Sequence, residues 1–164
     1  MEKVFFQVVQ AYEAKVAKLN KERASGPLSK LLVTVLGQQG LLVRSDSLPT
    51  LKLLATTDFD GLLRGEVPTE DIFKACLREA GLTYDEQSEY IWLPDETSYE
   101  ELYDSKTIRV TSPQPVYLIV SKAVKAPEKN KQLVIDSISE FGESLIELLE
   151  KYGADIDFFL GPNS

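Results

Sequence analysis

The chain has 164 residues, 43% of them hydrophobic, and 26 acidic side chains against 18 basic ones give a net charge of −8. That supports one domain with its own core, contains no apolar run of membrane-spanning length, and opposes sequence-independent binding to DNA or RNA, which is mainly phosphate neutralisation. Histidine is absent. This excludes Ser-His-Asp and Cys-His catalysis and every histidine-based zinc site, and leaves oxygen donors for any metal, hence Mg²⁺, Mn²⁺ or Ca²⁺.

In chain order, Val4, Phe5, Val8, Val9, Tyr12, Val16 and Leu19 recur at helical spacing, so residues 2–23 are expected to form an amphipathic helix ended by "ASGP". The charges alternating through this segment, and its lack of a small-residue cleavage site, set it apart from a signal peptide. "KLLVTVLG" reads as a buried strand over 31–36 closed by Gly37, and "QQGLLVR" as a short helix near 38–44. After the loop "SDSLPT", "LKLLATTDFDGLL" predicts a second strand over 56–63, beside the first in one sheet. "VPTEDIFKACLREAG" carries helix punctuation, with Thr69 as N-cap after Pro68, Glu70 and Asp71 in the first turn and Gly81 at the stop.

"EYIWLP" and "TIRVTS" read as strands, and "QPVYLIVSKAVKA" as a helix. "PEKNKQLVIDSISEFGESLIELLEKYG" reads as one long helix from Pro127 to Gly153. In the tail, Phe158, Phe159 and Leu160 are expected to dock and the last residues to fray. The order of elements predicts an α/β or α+β domain with a small mixed sheet and helices packed on it. Cys76, alone, excludes an internal disulfide, reads as a core residue, and is compatible with a reducing cytoplasm, the expected location.

Asp58 and Asp60 raise the chemical question. On a strand they share a face, and like charges side by side cost energy unless a cation or donor network offsets them. A divalent cation bridging both to a triphosphate would do so, with basic side chains holding the phosphates.

With that pattern, "VLGQQGLLVR" followed by "TTDFDGLL" resembles the nucleotidyltransferase superfamily, and in particular small nucleotidyltransferase-like and abortive-infection toxin proteins. There a Gly-Gly-x-Ala-Leu turn precedes Arg-x-Thr-x-Asp-h-Asp. Gly37, Gln39 and Leu41 fall on the turn, and Thr57, Asp58 and Asp60 on the second motif. Gln38 stands at the second glycine, and the arginine expected shortly before the aspartates is missing, with Leu53, Leu54 and Ala55 in its region. Lys122 matches the motif lysine, Lys129 and Lys131 the basic positions, and Asp136 a later aspartate.

The resemblance implies one domain over 1–164: an N-terminal helix (1–25), a nucleotidyltransferase-like core (30–112), and C-terminal helices with a tail (113–164). It implies that Asp58 and Asp60 hold Mg²⁺ or Mn²⁺, that Glu89 or Asp95 completes the catalytic set, and that Gly37, Gln39, Thr57, Lys122 and Lys129 bind a nucleoside triphosphate. The reaction would be in-line attack of an acceptor hydroxyl on the α-phosphorus. A catalytically inactive domain of the same fold, binding a protein partner in a toxin–antitoxin or regulatory pair, is the alternative. A solvated basic face for Lys122, Lys125, Lys129 and Lys131, and a core role for Trp92, are the plainer readings of those residues. Tyr99 and Tyr103 are weak candidates for stacking on a base.

Overall fold

Helix α1 (Lys3–Glu22) and strand β1 (Leu31–Val35) open the fold, followed by α2 (Gly37–Leu42), β2 (Asp58–Phe59), β3 (Gly61–Arg64), α3 (Val67–Glu79) and β4 (Thr83–Tyr84). Strands β5 (Tyr99–Asp104) and β6 (Ile108–Pro113) precede four helices, α4 (Pro115–Lys125), α5 (Lys131–Phe141), α6 (Glu143–Lys151) and α7 (Ile156–Leu160). The computed structural model describes residues 2–162, so the fraying expected of the last residues concerns Asn163 and Ser164, outside the described part.

The main sheet has the order β3-β1-β6-β5. β1 and β6 run parallel at its centre, and each pairs antiparallel with an outer strand. A second, two-stranded sheet pairs β2 with β4 in parallel. This is the mixed α/β arrangement expected, but β1 pairs with Gly61–Arg64, while Asp58 and Phe59, expected beside β1, belong to the second sheet.

There are two apolar cores, one on a face of the main sheet and one among the helices. In the first, α1 buries Phe5, Val8, Val9, Tyr12 and Val16 on α3 and on Leu31, Val33, Val35, Ile108 and Val110. Phe59 is fully enclosed there, stacked on Phe5 at 5.6 Å and edge-on to Phe73 at 5.8 Å. Cys76 lies in this core, and burial raises its thiol pKa. The second core joins α2 to α4–α7 through Leu41, Leu118, Ile119, Val134, Leu145 and Phe159. Fully burying one such side chain contributes about 1.5–3 kcal/mol.

Several elements differ from the sequence reading. The second strand is not continuous, because Asp60 separates β2 from β3. "EYIWLP" is no strand: Ser88–Tyr90 forms a 3₁₀ turn, since the Ser88 hydroxyl donates to the Asp85 carbonyl and draws the chain inward. Trp92 then packs edge-on to Tyr152 at 5.8 Å, in the core role. β5 was not foreseen, being spelled by the acidic "YEELYD". The long C-terminal helix is two helices, because Gly142 at φ +68° ends α5 and starts α6, a conformation that favours glycine. The N-cap of α3 is Glu66, and Thr69 lies buried in the first turn, its hydroxyl donating to the Glu66 carbonyl.

Arg44, just after α2, ties the two halves together. Its guanidinium is buried and pairs with Glu100 of β5. It also donates to Ser112 Oγ at 2.9 Å, to the Pro113 carbonyl and to the Gly40 carbonyl at 3.0 Å. The Ser112 hydroxyl passes the chain on to the Val35 carbonyl at 2.8 Å. Arg44→Ala would leave these acceptors without their donor. We expect a loss of about 3 kcal/mol in urea unfolding, the low end for a broken buried pair because Glu100 keeps some solvent.

Candidate functional site

The site grows from the end of β1. Leu36 donates its N–H to the Asp60 carbonyl at 2.9 Å, so the two chains run side by side where α2 begins. Gly37 turns at φ +55°. A Cβ there would lie 2.1 Å from Asp60 Oδ2, so only glycine lets the carboxylate lie against the turn.

The β2–β4 register supplies the neighbour. Phe59 pairs with Tyr84, and the Asp85 N–H donates to the Phe59 carbonyl at 2.9 Å, which sets Asp85 beside Asp60. The Gln87 N–H holds Asp85 Oδ1 at 2.8 Å. Burial raises the pKa of Asp60, and the charge and hydrogen bond of Asp85 add to it; Lys122 opposes, and Asp58 contributes a smaller upward push. Asp58 itself is exposed. The close carboxylate pair is therefore Asp60 with Asp85, whereas sequence spacing pointed to Asp58 with Asp60.

Glu89 and Asp95 are not the third carboxylate. Glu89 follows the 3₁₀ turn into a separate cleft beside Tyr84, and Asp95 is exposed in the turn before β5. Sequence reasoning missed Asp85 because "TYDEQ" has the look of a turn and a two-residue strand leaves no periodic signal. The one available hint was a third acidic residue shortly after a helix stop.

A cleft of about 470 Å³ lies between the 52–56 segment and the α4–α5 junction. Lys52, Lys122 and Lys129 line it, with Gln38, Thr56 and Asp136 among the other residues. The side-chain amides of Gln38 and Gln39 donate to the carbonyls of Leu54 (3.0 Å) and Thr56 (3.4 Å) and fasten the outer wall. Gln39 is thus buried and committed to structure. Thr57 is exposed, its carbonyl accepting the Thr83 N–H, and Thr56 takes its place at the cleft. The Gln132 amide donates to Asp136 Oδ1 at 2.8 Å. Lys125 and Lys131 turn to the rings of Trp92 and Phe158 instead. Tyr103 donates to Glu13 at 2.6 Å, and Tyr99 is half exposed at the start of β5, so neither lines the cleft.

Lys122 and Asp60 face each other yet form no direct ion pair. Desolvation lowers the lysine pKa, Asp60 raises it, and Lys129 lowers it again. A satisfied pair would shift the other way, the acid down and the base up. Here burial pushes each group toward its neutral form.

Oxygen-only donors suit Mg²⁺ or Mn²⁺, and Mg²⁺ commonly takes one or two carboxylates plus substrate phosphates. Asp60 and Asp85 fit that arrangement. Among the described residues no group of three or more His, Cys, Asp and Glu side chains is arranged to hold a metal ion. No family model, curated protein or solved structure matches the chain. No helix among the described residues is long and apolar enough to cross a membrane.

Two outcomes test this geometry. Gly37→Ala forces φ +55° on an L side chain and displaces the Asp60 carboxylate; we expect a loss of about 1–3 kcal/mol in chemical denaturation. Asp60 has a folded pKa above its unfolded value. Its contribution is favourable below the unfolded value of about 4 and is lost as pH rises through the folded one. Asp60→Asn is therefore expected to melt higher than wild type at pH 7, with the gain vanishing below about pH 4.

Proposed function

We propose that the protein binds a nucleoside triphosphate in the lysine-lined cleft and transfers its nucleotidyl group to an acceptor hydroxyl. The supporting observation is the lining of the cleft. Lys52, Lys122 and Lys129 all face it, and among the described residues none of the three forms an ion pair. A polyanion in the cleft would offset Lys52, Lys122 and Lys129 together. The cleft volume falls in the range of ordinary small-ligand sites.

In this reading the three lysines hold the phosphates, and Asp60 and Asp85 sit beside the reacting end. The acceptor oxygen forms a bond to the α-phosphorus, the bond to the bridging oxygen breaks, and pyrophosphate leaves. The proton of the acceptor hydroxyl passes to water or to a carboxylate of the site. Mg²⁺ bound by Asp60 and Asp85 would supply charge neutralisation to the triphosphate. The nucleotidyltransferase resemblance of the Gly37 turn and of Asp58 and Asp60 agrees with this reading.

Lys122→Ala is expected to weaken triphosphate affinity by about 1–3 kcal/mol, measured by titration calorimetry with Mg²⁺. The helix should stay folded, since Ile119, Val120 and Ala123 anchor α4. Unchanged affinity would return Lys122 to a structural role. Binding without transfer of label from an α-³²P nucleotide to any supplied acceptor would favour the inactive, partner-binding alternative.

A further inference from the structure

A second cleft, of about 490 Å³, shares no residue with the first. It follows the outer edge of β3, which is an edge strand of the main sheet. Leu62 and Leu63 of β3 line it together with Tyr84, the residue before Asp85.

The register fixes which backbone groups of β3 face outward. The chain pairs Val35 with Gly61, Thr34 with Leu62 and Val33 with Leu63, and the Leu36 N–H bonds to the Asp60 carbonyl. In an antiparallel pair, successive residues alternate between bonding to the partner and facing away. Asp60, Leu62 and Arg64 therefore bond to β1, while Gly61 and Leu63 point outward. The outward groups of Gly61 are occupied: its N–H donates to Ser88 Oγ at 2.9 Å, and its carbonyl accepts from the Tyr84 hydroxyl at 2.8 Å. Those of Leu63 have no partner among the described residues, and the same alternation turns Gly65 outward next.

An unpaired strand edge is a template for another extended chain. The charge around this edge selects the chain. Lys74 is bound to Glu86 at 2.8 Å and lies over the Tyr84 ring at 4.5 Å. That leaves Glu70 and Glu89 against Arg64 alone in the cleft lining, within a protein of net charge −8. Apolar floor, aromatic wall and excess carboxylate complement alternating apolar and basic side chains.

We propose that an extended polypeptide segment carrying lysine or arginine adds as a strand to the β3 edge in this cleft, and that this segment is the acceptor. The acceptor role rests on the nucleotidyltransfer reading; the docking does not. Leu63 lies three residues from Asp60, about 10 Å along the strand, so the reacting hydroxyl sits on a residue that continues the docked chain beyond Gly61 toward the carboxylates. A serine, threonine or tyrosine hydroxyl oxygen of the segment forms the new bond to the α-phosphorus. Pyrophosphate departs with the bonding electrons, and the hydroxyl proton passes to a site carboxylate.

The probe is an acetylated hexapeptide, Thr-Lys-Val-Lys-Ser-Val, with a counterpart in which glutamate replaces both lysines. With ¹⁵N-labelled protein, the lysine peptide should shift the Leu63 and Gly65 amide resonances and bind at least tenfold tighter than the glutamate peptide. Glu70→Lys with Glu89→Lys should reverse that preference, and Glu70→Gln with Glu89→Gln should abolish it while retaining the fold. Equal affinity for both peptides, or shifts confined to surfaces away from β3, overturns the docking. Nucleotide affinity measured on the same samples separates the two readings. If nucleotide binds but neither peptide does, the docking falls and the nucleotide reading stands. If the lysine peptide binds and nucleotide does not, the docking stands and transfer falls. With both bound and Mg²⁺ present, the peptide should gain the mass of one nucleoside monophosphate; no gain overturns the acceptor role.

Discussion

One short segment is shared by two sheets, and the rest of the site depends on that sharing. Phe59 belongs to the small sheet with β4, while Gly61 begins the edge strand on β1. Asp60 is the residue between them, and it cannot follow both pleats. Its carbonyl is held by Leu36 and its carboxylate lies against Gly37. Phe59 is meanwhile locked in an aromatic cluster with Phe5 and Phe73. The carboxylate is thus set by backbone pairing on both sides and by a buried ring beneath, the kind of rigid support that a precise site needs.

The polar interior serves the same end at a larger scale. Arg44 links the end of α2 to β5 and β6, so the helix that begins at Gly37 is fixed at both termini. A buried guanidinium is costly unless its donors are met, and here Nε, Nη1 and Nη2 each find an acceptor. Glu100 belongs to an acidic strand that looks ill-suited to a sheet. Its place in the fold follows from the cation it serves rather than from β-propensity, which reflects context more than backbone preference.

Much of the architecture was legible in the chain because it rests on periodicity and punctuation. α1, β1, α2, α3, β6 and α4 follow from apolar spacing and from Gly or Pro at their ends. Gly37 was recognisable as a turn, and Lys122 as a cation near the aspartates. What escaped notice depends on tertiary register. β4 is two residues long and exists through its pairing with β2, so Asp85 was invisible as a partner of Asp60. Gln39 and Thr57 were assigned to a ligand because motif position says nothing about which side of a turn a side chain takes. The break at Gly142 lay within an otherwise continuous amphipathic pattern, where a lone glycine is ordinarily tolerated. Whether a helix continues or folds back there is decided by the core that Leu145 and Leu149 find.

The glutamine clasps of α2 carry a mechanical consequence. Gln38 and Gln39 hold the irregular 54–56 strap through its carbonyls, and the same helix starts at the glycine that accommodates Asp60. Strap, helix and carboxylate form one linkage. Widening the cleft by lifting the strap must either break both amide clasps or pull on α2, which Arg44 anchors at its far end. The mouth of the cleft is therefore geared to the buried carboxylate, and any swing of the strap would be transmitted to Asp60 like a lever turning on the Gly37 pivot.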